Sequence, residues 1–546
     1  MNEAATDVAI IGGGLAGLTL ALHLRRAMPD VRVTVLERRS GAAPDAAFKV
    51  GESTVEVGAH YLADTLGLRE ALDTAQIRKF GFRFFFSDGR DDIDRCTEIG
   101  VSQLFPTPSW QLDRGRLEND LADRVRAAGV DLHDGASVKA FEVNAGDTPH
   151  RIEYEQAGER RVLDARWLVD AAGRRGLLRR HFDLTVDNGH AANAVWWRVE
   201  GRVDPNDWSD DPAWIERCTP PERWRSTNHL CGPGYWVWLI PLASGAHSVG
   251  IVCDASMHPL DTMNTHEKAM AWLQRHQPRL VRALASPSHG LLDFAFLRGY
   301  SHGSRQVFSG DRWALTGEAG PFLDPFYSPG SDFIAIANHY IVALVERDLA
   351  GEPVGAHAML FERLLLSFYD NMLPLYRGQY PLMGDVQVMP VKVIWDYTFY
   401  WGLLAPLAFS GRLADLDVLG RLREPMLAGS ALNERMQALF RDWGTANEAA
   451  GQAADPQPGR FLDQFHIDWF NAMNGALNDA LDRDAFVARV HDNLLRMQAL
   501  AAEIAGQAVA CHPGLELHGL QPMDGPATLL DPAWYAQADV RAQPNG

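Results

Sequence analysis

Cysteine is scarce: there are five in 546 residues, Cys96, Cys218, Cys231, Cys253 and Cys511. None belongs to a C-x-x-C pair and their density is far below that of a disulfide scaffold, which argues against structural zinc and fits a reducing compartment. Positive charge is in deficit. Lys and Arg total 51 against 70 Asp and Glu, a net charge of −19, so the mean field repels phosphate backbones and anionic lipid surfaces. Nucleic acid is not an expected partner. The N-terminus has no basic stretch ahead of its short apolar run, so no signal peptide is read and a cytoplasmic location is expected. The most apolar C-terminal stretch, residues 391–409, is broken by Lys392, Asp396 and Pro406; it reads as a buried or partly interfacial helix pair, not a transmembrane segment. His60, His229, His339 and His466 are scattered without ligand spacing, and no metal is expected. Repeats and low-complexity tracts are absent.

What is present is an ordinary globular composition, 47% hydrophobic and 22% charged, with length for several domains. Residues 7–11 (DVAII) form an apolar run, glycines follow at once, then a helical pattern, then a second apolar run, VRVTVLE. Gly12, Gly14 and Gly17 make G-x-G-x-x-G between strand and helix. Gly12 permits the tight turn, Gly14 lets a pyrophosphate reach the backbone, and Gly17 lets helix and strand pack closely. Ala16 lies in the same turn. Glu37, ending the second strand, suits ribose hydroxyls and opposes a 2′-phosphate, which points to FAD or NAD.

Further along, residues 111–130 read as a strand-to-helix unit, DARWLVDAAG as a strand, and NAVWWRVEGRV and YWVWLIPL as Trp-rich antiparallel strands. Beyond Pro353 the pattern is mostly helical to about residue 505, with an irregular tail. The fold expected is α/β: a Rossmann-type parallel sheet interleaved with an antiparallel sheet, plus a helical C-terminal region. The divisions expected are 1–180 and 306–350 for dinucleotide binding, 181–305 for the substrate-side sheet and 351–546 for the helices.

DAAGRRG at 170–176 and TGEAGPFLDP at 316–325 resemble the second and third fingerprints of FAD-dependent aromatic monooxygenases. FKVGES at 48–53 and the W-x-W-x-I-P of residues 236–241 narrow the resemblance to the flavin-dependent halogenases over residues 7–349. That resemblance implies FAD contacts at Gly317, Asp324, Pro325, Gly330 and Arg114, and makes Lys49 the catalytic lysine. It also implies that reduced FAD, O₂ and a chloride or bromide ion yield hypohalous acid, which the lysine binds or converts to a haloamine. Trp236 and Trp238, on one face of a strand, are then placed to wall the substrate tunnel, with Val237 on the other face.

The chain departs from the family's pattern in one loop. Tyr327 stands where tryptophan halogenases carry a glutamate, and a tyrosine with an ordinary pKa of about 10 cannot replace that base, so a phenolic or pyrrolic substrate, free or carrier-tethered, is expected. Pro329 has no N–H to offer a halide. Gly330, Ser331 and the Ser328 hydroxyl are left for that role. No second nucleotide motif appears for NADPH, so a separate flavin reductase is expected. An FAD monooxygenase or reductase without halide chemistry is the alternative reading, and a non-catalytic flavin-binding partner a third.

Overall fold

Val8, Ala9 and Ile10 are wholly inaccessible, as a strand covered on both faces requires. They belong to Glu3–Ile11, the central strand of a sheet in a computed structural model that describes residues 3–45, 50–453 and 459–535. The chain divides into two units, each built from three separate stretches.

The first unit takes in Met1–Ile77, Leu112–Gly189 and Ser301–Asp370. Its seven-stranded sheet runs Asp131–Asp134, Val33–Glu37, Glu3–Ile11, Glu159–Asp170, His150–Gln156, Ser137–Glu142, with Trp313–Leu315 also on Glu159–Asp170. The first four strands in that order are mutually parallel. The long strand Glu159–Asp170 is shared along one edge: its first half pairs antiparallel with His150–Gln156, and Leu168 to Asp170 pair parallel with Trp313–Leu315. Register puts Ile11 opposite Leu36 and Asp170, and Asp170 opposite Leu315. Four parallel strands therefore end level with one another, and the loops that follow them meet at one edge.

The second unit takes in Arg78–Gln111, His190–Tyr300 and Asn371–Gly546. Its eight-stranded sheet runs Leu291–Arg298, Ala192–Val199, His247–Asp254, Tyr235–Pro241, Thr227–Gly232, Phe82–Phe86, Glu98–Gly100, Phe461–Asp463. Two pairings, Thr227–Gly232 with Phe82–Phe86 and Glu98–Gly100 with Phe461–Asp463, are parallel; the others are antiparallel. Val195, Trp197, Val237, Leu239, Val249 and Ile251 build an apolar core on one face, covered by Trp272, Leu273 and Leu280 of two helices.

The division differs from the one expected. Arg78–Gln111 lies with the second unit because Phe82–Phe86 pairs with Thr227–Gly232, and the helices from Asn371 onward cluster there too. Residues 388–409 form helix Val388–Phe399, a π-helical turn Tyr400–Leu404 and helix Ala405–Phe409, almost entirely buried. Lys392 is accommodated there by donating to Asp396 Oδ2 (2.6 Å), Gln437 Oε1 (2.9 Å) and the Leu375 carbonyl (3.2 Å). Among the described residues no helix is long and apolar enough to cross a membrane.

Candidate active site

The glycines act in three distinct ways. Gly12 has φ +112°, and a Cβ built on it would lie 2.4 Å from the Ala171 carbonyl oxygen, so turn and neighbouring strand end admit only glycine. A Cβ on Gly17 would lie 2.0 Å from Gly12 O. At Gly14 the same test meets nothing within 4 Å. Gly14 also caps helix Leu15–Ala27, which has no side-chain cap and no acid in its first turn. The first amides thus face open space at the positive end of the helix dipole, which is the environment a pyrophosphate requires.

Two carboxylates brace this edge. Glu37 accepts from Gly13 N through Oε2 (2.7 Å) and from Arg39 N through Oε1 (2.6 Å), and each oxygen keeps acceptor capacity for a ribose hydroxyl. Asp170 accepts from Ala172 N (3.0 Å) and Leu178 N (2.8 Å), folding the DAAGRRG loop over itself. Burial raises the Asp170 carboxyl above the ordinary carboxylate range.

The third fingerprint closes on the first. Gly317 has φ +62°, and its built Cβ would sit 2.8 Å from that of Ala16. Thr316 Oγ1 donates to Asn338 Oδ1 (2.7 Å), while Asn338 Nδ2 donates to Ala16 O (3.3 Å), Thr19 Oγ1 (3.2 Å) and Tyr61 OH (3.1 Å). Arg114, expected near the cofactor, donates to the carbonyls of Val50 (2.7 Å) and Gly51 (3.3 Å) and to Glu118 (2.7 Å). It holds the V-G-E-S backbone, helped by Leu112 N on Glu52 O (2.6 Å). Phe48 and Lys49 lie outside the described residues.

The loop before helix Gly330–Leu349 is tightly wound. Asp324 is buried and accepts from Phe326 N (2.9 Å); Ser328 N donates to Pro325 O (2.8 Å), with Ser328 left-handed at φ +53°. Pro329 caps the helix, its carbonyl accepting from Asp332 N (3.0 Å) and Phe333 N (3.1 Å). Gly330 and Ser331 are therefore the first two helical residues, whose amides have no partner within the helix. Ser331 Oγ is buried without a hydrogen-bond partner among the described residues. Gly58 packs against this point: its N–H donates to Asp332 Oδ1 (2.8 Å), and a Cβ there would lie 2.2 Å from Ser331 Oγ. Tyr327 is buried with its ring 4.7 Å from that of Phe326.

In the second unit the face opposite the apolar core carries a cross-strand row. Trp196, Gly250, Trp238, His229 and Phe84 are in register. The Trp238 indole lies flat over Gly250, whose Cβ would meet it at 2.2 Å, and donates to Ser248 Oγ (3.0 Å). Trp236, on the same face, donates to Tyr380 OH (3.1 Å) and has its ring 5.8 Å from that of Trp238. His229 stacks on Phe84 (4.8 Å) and contacts Trp236 (5.1 Å) and Phe82 (5.4 Å). Lys79 continues this wall: it is 3% exposed, with its ammonium 3.3 Å from the Phe82 ring centroid.

A sequence model of the FAD binding domain matches residues 5–276. A flavin-dependent halogenase of Dictyostelium discoideum is 28% identical over 435 residues, covering 74% of this chain and 71% of that one. The tetracycline 7-halogenase of Kitasatospora aureofaciens is 25% identical over 416 residues, 70% of this chain and 72% of its own. Among solved structures, a halogenase PltM mutant in complex with FAD superposes at a TM-score of 0.63 with 18% identity, covering 90% of this chain and 96% of that chain. In sequence and in fold the chain is similar to flavin-dependent halogenases. It is an FAD-dependent oxidoreductase, and the dinucleotide cradle at Gly14 fits that cofactor.

The first unit brings together Gly12, Gly14, Ala16, Gly17, Glu37 and Gly317, while Trp236 and Trp238 sit side by side in the second. The sequence reading missed Asn338, Gly58 and Lys79. Asn338 had a signal, a lone amide within the apolar pattern FIAIANHYIVAL. The only group of three or more potential ligands among the described residues is Asp442, Glu516 and His518, which includes none of the four histidines singled out above; Glu516 is exposed.

Proposed function

We propose that the enzyme halogenates an electron-rich aromatic ring, phenolic or pyrrolic, free or tethered to a carrier protein, using chloride or bromide and reduced FAD from a separate reductase. The observation that carries this reading is the start of helix Gly330–Leu349. A buried hydroxyl and two amides there, without a partner among the described residues and at the positive end of a 20-residue helix, suit a halide ion. Gly330 N, Ser331 N and Ser331 Oγ–H are the donors, and Pro329 contributes by ending the preceding turn. Two relatives lend support to a carrier-bound pyrrole: a 1H-pyrrole-2-carbonyl-[peptidyl-carrier protein] chlorinase of Pseudomonas fluorescens, 28% identical over 355 residues, and the corresponding brominase of Pseudoalteromonas luteoviolacea, 24% identical over 352.

When bound, reduced FAD supplies with O₂ the oxidant that turns halide into hypohalous acid. The remaining work falls to the protein's side chains. A lysine amine in its neutral form holds hypohalous acid by a hydrogen bond, or forms an N–halogen bond with loss of water, and delivers the halogen to the ring. FKVGES assigns this to Lys49. Lys79 is a second claimant on a specific observation, because its ammonium is buried against the aromatic wall that carries Trp236 and Trp238. Tyr327 leaves the loop without a basic carboxylate at its position, which suits rings that lose a proton unaided.

The test is mass spectrometry of candidate phenols and carrier-bound pyrroles incubated with enzyme, flavin reductase, FAD, NADH and mixed chloride and bromide. Products heavier by chlorine or bromine in place of hydrogen support the reading; products heavier by one oxygen favour the monooxygenase. Comparing Lys49→Ala with Lys79→Ala assigns the lysine: the responsible variant loses halogenation while retaining FAD.

A further inference from the structure

A chain of net charge −19 has to recruit a cofactor whose pyrophosphate is itself negative, and the long-range field opposes that encounter. One segment runs against the field. Residues 173–181 (GRRGLLRRH) hold four arginines and a histidine with no acid. Arg174 is paired with Glu318 (3.6 Å), and Arg179 is buried, donating to Glu318 O (3.0 Å) and Arg174 O (3.2 Å). Arg175 and Arg180 differ: both are exposed, and among the described residues no hydrogen bond or ion pair engages either side chain. The Arg180 charge even opposes that of Arg179, so the cluster is kept at an electrostatic cost.

The segment stands beside the dinucleotide turn. Gly12's built Cβ would touch Ala171 O at 2.4 Å and Ala172 N at 3.0 Å. Arg175 is three residues beyond Ala172, which limits its Cα to about 11 Å from there. Leu178 N donates to Asp170 Oδ2 (2.8 Å), at the strand end opposite Ile11, and Arg180 is two residues further on, within about 7 Å of that anchor along the chain. These distances are comparable to a Debye length of about 10 Å at 0.1 M salt, the range over which an exposed charge acts on an approaching anion.

We propose that Arg175 and Arg180 are a landing patch that draws FAD in by its pyrophosphate before the cofactor settles on the helix start at Gly14, without touching it once bound. The proposal rests on FAD binding and is independent of the halogenation reading. Its signature is kinetic and salt-dependent. Removing two charges about 12 Å from a dianion lowers the association rate constant about fivefold at 10 mM salt, about twofold at 0.1 M, and negligibly at 1 M.

The experiment is stopped-flow flavin fluorescence, mixing apo-enzyme with oxidised FAD across that salt range. It compares wild type, Arg175→Gln/Arg180→Gln and Arg175→Lys/Arg180→Lys. The expected result is slower association for the Gln pair at low salt, convergence at high salt, an unchanged dissociation rate, and wild-type association for the Lys pair. Equal association at 10 mM salt overturns the proposal, as does a raised dissociation rate or a Lys pair as slow as the Gln pair. If association is unchanged but binding of a flavin reductase weakens, the patch serves protein docking and the proposal falls. Wild-type enzyme that takes up no FAD would instead remove the cofactor assignment.

Discussion

Gly14 and Gly17 lie three residues apart in one motif, yet the structure requires opposite consequences from replacing them. At Gly14 the backbone is extended (φ −90°, ψ −171°), a conformation open to any residue, and a side chain there meets no protein atom within 4 Å. Gly14→Val therefore leaves the apo-protein folded, within about 1 kcal/mol of wild type for the loss of a glycine N-cap. In the holoenzyme the same side chain stands where phosphate oxygens approach the helix amides. Two charge-assisted hydrogen bonds at about 1.5–3 kcal/mol each are forfeited, so the Kd for FAD rises about 10²- to 10⁴-fold. Gly17→Ala, with its Cβ 2.0 Å from Gly12 O, forces strand and helix apart and costs about 1–3 kcal/mol of stability before any cofactor is added. Thermal unfolding of the apo-proteins and titration of FAD by flavin fluorescence measure the two quantities separately. Gly14→Val purified with stoichiometric flavin, or a Gly14→Val apo-protein as unstable as Gly17→Ala, refutes the reasoning.

Two further perturbations test other parts of the structure. Gly58→Ala places a methyl group 2.2 Å from Ser331 Oγ and shifts the helix start, so the KM for halide rises roughly tenfold, about 1.4 kcal/mol, with FAD affinity unchanged; halide-dependent turnover and flavin titration check it. Burial pushes the Asp385 carboxyl up to about 6 from 3.8, although it accepts from Gln387 N, Val388 N and Asn447 Nδ2. A raised carboxyl pKa means that the folded state holds a proton the unfolded state has released, so this contribution is full below pH 3.8 and is lost as pH rises through 6. It amounts to roughly 3 kcal/mol, and the stability of wild type relative to Asp385→Asn, from urea unfolding at pH 4 and pH 7, falls by that order.

The elements that were legible in the sequence are those whose signal is local. Gly12, Gly14 and Gly17 carry their spacing in six residues, and Glu37, DAAGRRG and TGEAG each follow a short apolar run, so each could be assigned to a strand end. Strand alternation likewise put Trp236 and Trp238 on one face and Val237 in the core on the other. What stayed hidden depends on chain brought together from afar. Lys79 reads as a solvated lysine between Arg78 and Phe80; its burial follows from the placement of Phe82–Phe86 beside Thr227–Gly232. The same pairing moved Arg78–Gln111 out of the first unit. Gly58 and Ser331 are 273 positions apart, and nothing near either residue announces that they touch. The part Asp170 plays was hidden as well: its two oxygens hold their own loop, accepting from Ala172 N and Leu178 N.

The pairing of Phe82–Phe86 with Thr227–Gly232 also bears on how the chain is made. FRFFF is an apolar strand, buried along its whole length, and its parallel neighbour is synthesised about 145 residues later. At a ribosomal pace of about 5–20 residues per second it waits roughly 7–30 s for that partner, with one backbone edge unpaired and four phenylalanines in five positions. Neither unit is a continuous stretch, and of the two strands that flank Phe82–Phe86 only Glu98–Gly100 is made before residue 227, so recombinant yield should depend on chaperone capacity during that interval more than on the stability of the finished protein.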